Sequence, residues 1–313
     1  MLNPQLRVNR SGRAGRPDPR PRPRRQGGAR AALRAPRTES GARRSARIGE
    51  DPLDLGGQFA FVTGAGQGAG RAIALALARH TAGGVAVNDF VAERAEAVAA
   101  EIRALGVPAV AAPADVGDHA SVQSAMTAAA AALGPITLLV NNAGNAGPDV
   151  QMRASPLFWE TAPQEWDRYF RTNLQGVMNC CHVALPGMVE QGKGRIVTIV
   201  SDSGRIGEAK LVAYSAAKAG AAGFVRSIAR EAGRFGITSN AISLSTLEPP
   251  LPEPARTEFL ASERAKAHVA RYIIRRFGQP DDVANMTLFL CSDAASWITG
   301  QTYPVNGGYS FAQ

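Results

Sequence analysis

Tyr214 and Lys218 are the pair of side chains in this sequence whose types and spacing point most directly to proton-transfer chemistry. They stand four residues apart in an alanine-rich stretch that predicts a helix, so both should lie on one helical face. An ammonium close to a phenol favours the tyrosinate, and we therefore predict that Lys218 lowers the pKa of Tyr214 toward working pH. Such a tyrosine could take the proton of an alcohol or return it to a carbonyl. The same spacing also describes two ordinary neighbours on an exposed helix.

Ser201 could supply a hydrogen bond beside that pair. It follows a run that predicts a buried strand, Arg195–Val200. A hydroxyl at that point could hydrogen-bond a substrate oxygen on which charge develops. A serine after a strand can equally be a helix cap, and Ser203 offers a second hydroxyl nearby, so the pattern alone leaves both alternatives open.

A glycine-rich run, Thr63–Gly70, lies between a predicted strand and a predicted helix. Glycines there permit a tight turn and the close approach of a pyrophosphate, which would sit on the positive end of the helix. Asp89 ends the next predicted strand, where a carboxylate can accept hydrogen bonds from an adenosine ribose. A carboxylate repels a 2′-phosphate, and neither position 67 nor the position after Asp89 is basic, so NAD(H) is predicted over NADP(H). A plain turn and a solvated acid are the alternatives.

The elements that must position these side chains alternate along the chain. Predicted strands are Phe59–Thr63, Gly84–Asn88, Ala109–Ala112, Leu138–Asn141, Arg195–Val200, Thr238–Ser243 and Thr302–Val305. Predicted helices are Arg71–Ala82, Val91–Leu105, Ala120–Leu133, Glu165–Gln191, Tyr214–Phe235 and Asp281–Asp293. This order predicts an α/β fold of the Rossmann type: a single domain, residues 55–313, with a doubly wound parallel sheet of about seven strands flanked by helices.

Residues 1–50 carry the basic character of the chain. They hold 14 arginines against three acids, which more than accounts for the formal charge of +9. Their Arg/Pro/Gly-rich composition predicts a disordered extension. A stretch outside the native protein, a basic arm for nucleic acid and an organelle transit peptide are the alternatives. Nucleic acid is not an expected partner of the folded part.

The three cysteines, Cys180, Cys181 and Cys291, have no metal-like spacing. So sparse a set is typical of reduced thiols in a cytoplasmic protein. No apolar run reaches the length of a membrane span. We therefore predict a cytoplasmic protein with no metal site and no membrane partner.

From about Leu55 to Gly308 the sequence resembles the short-chain dehydrogenase/reductase family. The family's offset between serine and tyrosine selects Ser201 over Ser203. The motifs that carry the resemblance are the glycine run Thr63–Gly70, Asp115-Val116, Asn141–Gly144 (Asn-Asn-Ala-Gly), Asn173, Ser201, Tyr214-x-x-x-Lys218, and the landmarks Arg276–Pro280, Ile298–Gln301 and Asn306–Gly308.

The resemblance implies NAD(H)-dependent interconversion of a secondary alcohol and a ketone by a homodimer or homotetramer. Tyr214 would be the general acid/base, Lys218 would also hold the nicotinamide ribose, and Asn173 would anchor a water. The implied catalytic set is Asn173, Ser201, Tyr214 and Lys218. The implied cofactor-binding set is Gly64, Gln67, Gly68, Ala69, Gly70, Asp89, Asp115, Val116, Asn142, Ala143, Gly144, Tyr214, Lys218 and, through its backbone N–H, Leu247.

The sequence departs from the family after the sixth strand. Leu244 and Ser245 replace the family's Pro-Gly, and Pro249 replaces a threonine that lies against the nicotinamide. A non-catalytic NAD-binding protein is therefore an alternative function. An NADPH-dependent carbonyl reductase of other substrates is a second alternative. The Pro-rich stretch 249–254 and a helical pattern over 256–274 correspond to the family's substrate lid. Residues 145–161 could form a pocket wall or simply a packed loop.

The substrate is indicated only loosely. The segments Leu185–Glu190 and Ser201–Glu208 resemble family members that oxidise hydroxyacyl-CoA thioesters and, less closely, 3-oxoacyl-carrier-protein reductases. A hydroxyacyl or oxoacyl thioester is therefore one expected small-molecule substrate, while steroids, sugars and plain alcohols stay open. Arg205 could meet a negatively charged substrate or could be held in a salt bridge.

Overall fold

The computed structural model describes residues 51–144 and 156–311. The predicted extension over residues 1–50, and residues 145–155 of the predicted pocket wall, lie outside the described residues. Among those that are described, no helix is both long and apolar enough to cross a membrane.

Seven parallel strands form one sheet, in the order β3-β2-β1-β4-β5-β6-β7. Strands β1 to β5 are mostly apolar because helices cover both faces of the sheet, whereas β6 also carries Thr238, Ser239, Asn240 and Ser243. This architecture confirms the predicted Rossmann-type fold. The strands are β1 (Phe59–Val62), β2 (Gly84–Val87), β3 (Ala109–Ala111), β4 (Ile136–Asn141), β5 (Gly194–Ser201), β6 (Ile237–Leu244) and β7 (Thr302–Val305).

The helices are α1 (Gly68–Arg79), α2 (Ala92–Ala104), α3 (His119–Leu133), α4 (Asp167–Phe170), α5 (Gly176–Gln191), α6 (Ser203–Ile206), α7 (Val212–Ala232), α8 (Ala255–Ala261), α9 (Glu263–Val269) and α10 (Pro280–Cys291). Short 3₁₀ turns cover Phe158–Glu160, Pro163–Glu165, Gly233–Phe235 and Asp293–Ala295. Two apolar cores lie on opposite faces of the sheet, since one takes Ala60 and Val62 of β1 and the other takes Phe61. One packs α1, α2 and α10 through residues such as Ile73, Ile102 and Leu288. The other packs α3, α5 and α7 through Met126, Met188 and Val225.

The position of the site follows from the strand order. β1 and β4 are neighbours at the centre of the sheet, and the chain leaves them toward opposite edges. In an open parallel sheet this reversal opens a crevice at the carboxyl ends of the strands. Each of the strands β1 to β6 has one predicted site residue or motif at its carboxyl end, so all of these lie along that edge. In strand order they are the glycine run, Asp89, Asp115, Asn142, Ser201 and Leu247.

Two predicted helices are interrupted in the structure. The stretch 256–274 forms two short helices, because Ser262 ends α8 and caps α9: its hydroxyl donates to the Phe259 carbonyl and accepts from the Ala265 N–H at 3.2 Å. The predicted helix Glu165–Gln191 contains a π-helical turn over Arg171–Gln175. Such a turn inserts one residue into a helix and is frequent at functional sites.

Candidate active site

Tyr214 and Ser201 come together where β5 ends and α7 begins. Tyr214 lies in the first turn of α7, close enough to Ser201 for that serine to lower the pKa of the phenol. The Ser201 and Ser203 hydroxyl oxygens are 2.8 Å apart, and Ser201 also accepts the Ser203 N–H at 3.3 Å. Ser201 is thus the serine that contacts the phenol, while Ser203 braces Ser201.

Lys218 lies one helical turn beyond Tyr214 and is buried, with 4 % of its surface exposed. Its Nζ donates to the Ile199 carbonyl at 2.9 Å and is 5.9 Å from the centroid of the Tyr214 ring. The ammonium is therefore held at the floor of the site by the backbone of β5.

Burial controls the titration of both groups. It raises the pKa of Tyr214, and the hydrogen bond from Ser201 opposes that rise only in part. It also lowers the pKa of Lys218 from 10.5 to about 8. The predicted lowering of the Tyr214 pKa is therefore wrong, because loss of hydration outweighs the opposing effect of Ser201. The Tyr214 phenol keeps its proton at neutral pH.

Asn173 reaches the same site from the π-helical turn. It is fully buried, and its Nδ2 donates to the Tyr169 carbonyl at 2.9 Å. A Cβ added to Gly144 would lie 2.9 Å from Asn173 Oδ1 and 3.1 Å from Lys218 Nζ. A side chain there would push Asn173 or Lys218 away, so the glycine lets both approach the same point.

A cleft of about 760 Å³ opens beside this cluster along the crevice. Its volume is typical of a site for an elongated cofactor. Of the residues predicted to bind cofactor, Gly64, Gln67, Gly68, Ala69, Gly70, Asp89, Asp115, Val116, Asn142, Ala143 and Gly144 line it.

Hydrogen bonds hold the backbone of the glycine run in a conformation that leaves no room for a side chain at Gly70. Asn142 Nδ2 donates to the carbonyls of Thr63 and Gly64 at 3.0 and 3.1 Å. The Thr63 hydroxyl oxygen accepts the N–H groups of Asn142 and Ala143, both at 2.9 Å. A Cβ on Gly70 would lie 2.1 Å from the Gly64 carbonyl oxygen. The backbone cradle and the N-terminus of α1 thus fit a pyrophosphate. Sequence reasoning missed the bracing role of Thr63, although it begins the glycine run.

The two acids of the cleft differ in their partners. Asp89 is 7 % exposed, and its carboxylate accepts the N–H groups of Gly66 at 3.1 Å and Val91 at 3.0 Å. Asp115 accepts the Gly117 N–H at 2.8 Å and forms an ion pair with Arg171 at 2.6 Å. Arg171 was not predicted as a site residue, since it stands more than fifty positions away in sequence from its partner.

Leu247 does not line that cleft. It borders a second cavity of about 450 Å³, together with Ser245, Thr246 and Tyr272. Of the residues predicted to bind the cofactor, Leu247 is the one that belongs neither to the Tyr214 cluster nor to the lining of the 760 Å³ cleft.

The Arg205 guanidinium forms a salt bridge within the protein. It pairs with the buried carboxylate of Asp202 at 3.0 Å and donates to the Phe311 carbonyl at 2.7 Å. Asp202 also accepts from Ser243 at 2.7 Å and Asn306 at 2.6 Å. This network fixes the backbone directly after Ser201 and was not predicted from the sequence.

Three comparisons relate the chain to known proteins. Residues 64–310 match the family model described as enoyl-(acyl carrier protein) reductase. The 3-oxoacyl-[acyl-carrier-protein] reductase FabG of Staphylococcus aureus is 40 % identical over 250 residues, which cover 80 % of this chain and 96 % of FabG. The acetoacetyl-CoA reductase of Rhizobium meliloti is 37 % identical over 262 residues, covering 82 % and 99 %. A solved 7α-hydroxysteroid dehydrogenase, complexed with NADH and 7-oxo glycochenodeoxycholic acid, superposes with a TM-score of 0.72 at 32 % identity, covering 82 % and 96 %.

Proposed function

Because the chain belongs to the short-chain dehydrogenase/reductase family, we propose that it interconverts a ketone and a secondary alcohol with Tyr214 as general acid/base. The observation that carries this proposal is the Tyr214 phenol next to Ser201, with the buried ammonium of Lys218 5.9 Å from the centroid of its ring. A structural role alone gives no reason to bury a lysine beside a tyrosine, since burial disfavours the charged form.

Tyr214 donates its proton to the carbonyl oxygen during reduction. The nicotinamide, when bound, supplies the hydride. The raised pKa keeps the phenol protonated at neutral pH, so the resting site is set to reduce a ketone. Ser201 donates a hydrogen bond to the same oxygen as negative charge builds on it.

Lys218 supports the tyrosinate that reduction leaves behind. Its charge lies close to the Tyr214 ring, at 5.9 Å from the centroid. With a pKa of about 8, the ammonium can lose and regain a proton near physiological pH. Gly144 lets Asn173 approach it, so Asn173 Oδ1 can hold a water on the path by which the proton is restored.

NAD(H) is the proposed cofactor. The nearly buried carboxylate of Asp89, fixed by two backbone N–H groups, would accept the hydroxyls of the adenosine ribose and repel a 2′-phosphate. Arg94 supports the alternative, NADPH, because this cation lines the same cleft as Asp89. The test below separates the two.

A 3-oxoacyl thioester is the proposed substrate. The names of two relatives, 3-oxoacyl-[acyl-carrier-protein] reductase and acetoacetyl-CoA reductase, support that class. The hydroxysteroid dehydrogenase supports a broader range of ketones. The proposed reaction therefore turns a 3-oxoacyl thioester into a 3-hydroxyacyl thioester.

Loss of reduced-nicotinamide absorbance tests the proposal. The purified protein would be assayed with NADH and with NADPH against 3-oxoacyl thioesters of coenzyme A, 3-oxoacyl-carrier protein, steroid ketones and simple ketones. We expect turnover of a thioester with NADH as the preferred donor. Preference for NADPH would refute the role given to Asp89. Binding of either cofactor without turnover of any carbonyl would refute the enzymatic function.

A further inference from the structure

A buried tyrosine holds the segment Ser245–Leu247, the segment that departs from the family's Pro-Gly. The Tyr272 hydroxyl is 2.7 Å from Ser245 Oγ and accepts the Thr246 N–H at 3.1 Å. Tyr272 is 1 % exposed, so protein groups rather than bulk water satisfy its hydroxyl. The backbone after β6 is thus tied to a residue that follows α9.

His268, in the last turn of α9, adds a second attachment. Its Nε2 is 3.0 Å from Thr246 Oγ1 and 3.2 Å from the Tyr272 hydroxyl. The ring stacks on Phe277, with centroids 5.5 Å apart and planes at 14°. The imidazole is therefore fixed in orientation, and it bonds the same segment as Tyr272.

Tyr272 and the Gly278 backbone hold one edge of the segment. Gly278 donates to the Thr246 carbonyl at 3.2 Å, and the Glu248 N–H donates to the Gly278 carbonyl at 2.8 Å. Leu247 pairs with Gly278 as an isolated parallel bridge. Because alternate residues of an extended chain direct their N–H groups to opposite sides, the Leu247 N–H faces away from Gly278 and Tyr272.

We propose that Tyr272, supported by His268, is a positioning residue that directs the Leu247 N–H toward the nicotinamide end of the cofactor. The proposal rests on the function proposed above. Where the family uses Pro-Gly to shape the backbone, this chain uses side-chain hydrogen bonds from its lid. The serine at position 245 then has a definite role, since its hydroxyl meets the Tyr272 hydroxyl.

Tyr272→Phe tests this role, because it removes the hydroxyl and keeps the buried ring. Tyr309→Phe is the matched control: its ring packs 5.3 Å from the Tyr272 ring, but its hydroxyl is bonded to Arg271. For each protein, calorimetry would give the affinity for NADH and for ADP-ribose, which lacks the nicotinamide. If the wild type prefers NADPH, then NADPH and 2′-phospho-ADP-ribose take their place.

Tyr272→Phe removes the hydroxyl that bonds Ser245, Thr246 and His268, and this loss should weaken NADH binding by about fivefold to tenfold. ADP-ribose affinity should stay within about twofold, and Tyr309→Phe should change neither. Unchanged NADH affinity, or equal weakening of both ligands, would overturn the proposal, since the second result describes general loosening of the fold. If Tyr272→Phe does not fold, Ser245→Ala removes one of the bonds of the Tyr272 hydroxyl and should weaken NADH binding, by a smaller factor, without weakening ADP-ribose binding. A wild type that binds no nicotinamide cofactor would refute the proposed function itself.

Discussion

Lys218→Met should stabilise the protein while it inactivates it. Burial lowers the Lys218 pKa from 10.5 to about 8, and each unit corresponds to about 1.4 kcal/mol. The charged lysine therefore destabilises the folded state by about 3 kcal/mol at neutral pH. Methionine keeps the unbranched apolar stem but leaves the Ile199 carbonyl without its side-chain donor, which costs about 1 kcal/mol. The net expectation is a gain of about 2 kcal/mol.

The gain should depend on pH in a defined direction. The folded-state pKa lies below the unfolded value of 10.5, so between about pH 8 and 10.5 the unfolded wild type holds more protons. Wild-type stability therefore rises with pH through this window, and the advantage of the variant shrinks. Below about pH 8 both states are protonated, and the advantage stays at its full value.

Urea unfolding at about pH 7 and about pH 10, at one protein concentration, measures both effects. Lys266→Met is the matched control, because Lys266 is 58 % exposed and pairs with Glu263 on the surface; it should change stability by less than about 0.5 kcal/mol. A Lys218→Met protein that is less stable than the wild type at about pH 7, or a difference that does not change with pH, would refute the reasoning.

Three further predictions concern the cleft and the buried thiols. Gly144→Ala should lower kcat by about 10- to 100-fold, because the added Cβ would lie 2.9 Å from Asn173 Oδ1 and 3.1 Å from Lys218 Nζ. Gly187→Ala is its control, because a Cβ added there meets no atom within 4 Å. A Gly144→Ala protein with unchanged kcat would contradict the geometry. Asp89→Ala should move the ratio of kcat/KM for NADH over NADPH toward NADPH by about tenfold or more, and an unchanged ratio would show that Asp89 does not select the cofactor. Burial raises the pKa of Cys181 and of Cys291 to about 12, so a thiol reagent at about pH 8 should label neither cysteine until the protein is unfolded; rapid labelling of the native protein would contradict that burial.

The sequence was informative about the fold because each strand is a short apolar run between a turn and an amphipathic stretch. Two helix predictions failed because no local pattern in the sequence marks where the helix is interrupted. Ser262 offered no visible break between Arg256 and Ile274, yet its hydroxyl divides α8 from α9. The π-helical turn at Arg171–Gln175 leaves no mark in the hydrophobic pattern.

The site was predictable where residue spacing fixes geometry, as for Tyr214 and Lys218 on one helix. The pKa of Tyr214 was not, since it depends on burial by residues distant in sequence. Ion pairs and hydrogen bonds between distant residues were also missed, including Arg171 with Asp115 and Tyr272 with Ser245. These contacts form only when the chain folds, so the spacing of apolar residues in the sequence does not predict them.

Turnover and cofactor binding of Tyr214→Phe, measured beside the wild type with the best carbonyl substrate, test the central claim most directly. The substitution removes the phenol hydroxyl next to Ser201 from the ring whose centroid lies 5.9 Å from the Lys218 ammonium. We expect kcat to fall by about 10²- to 10⁴-fold while the dissociation constant of the preferred cofactor changes by less than about threefold. A variant that keeps a tenth or more of wild-type turnover, at about the same cofactor affinity, would contradict the assignment of Tyr214 as the general acid/base.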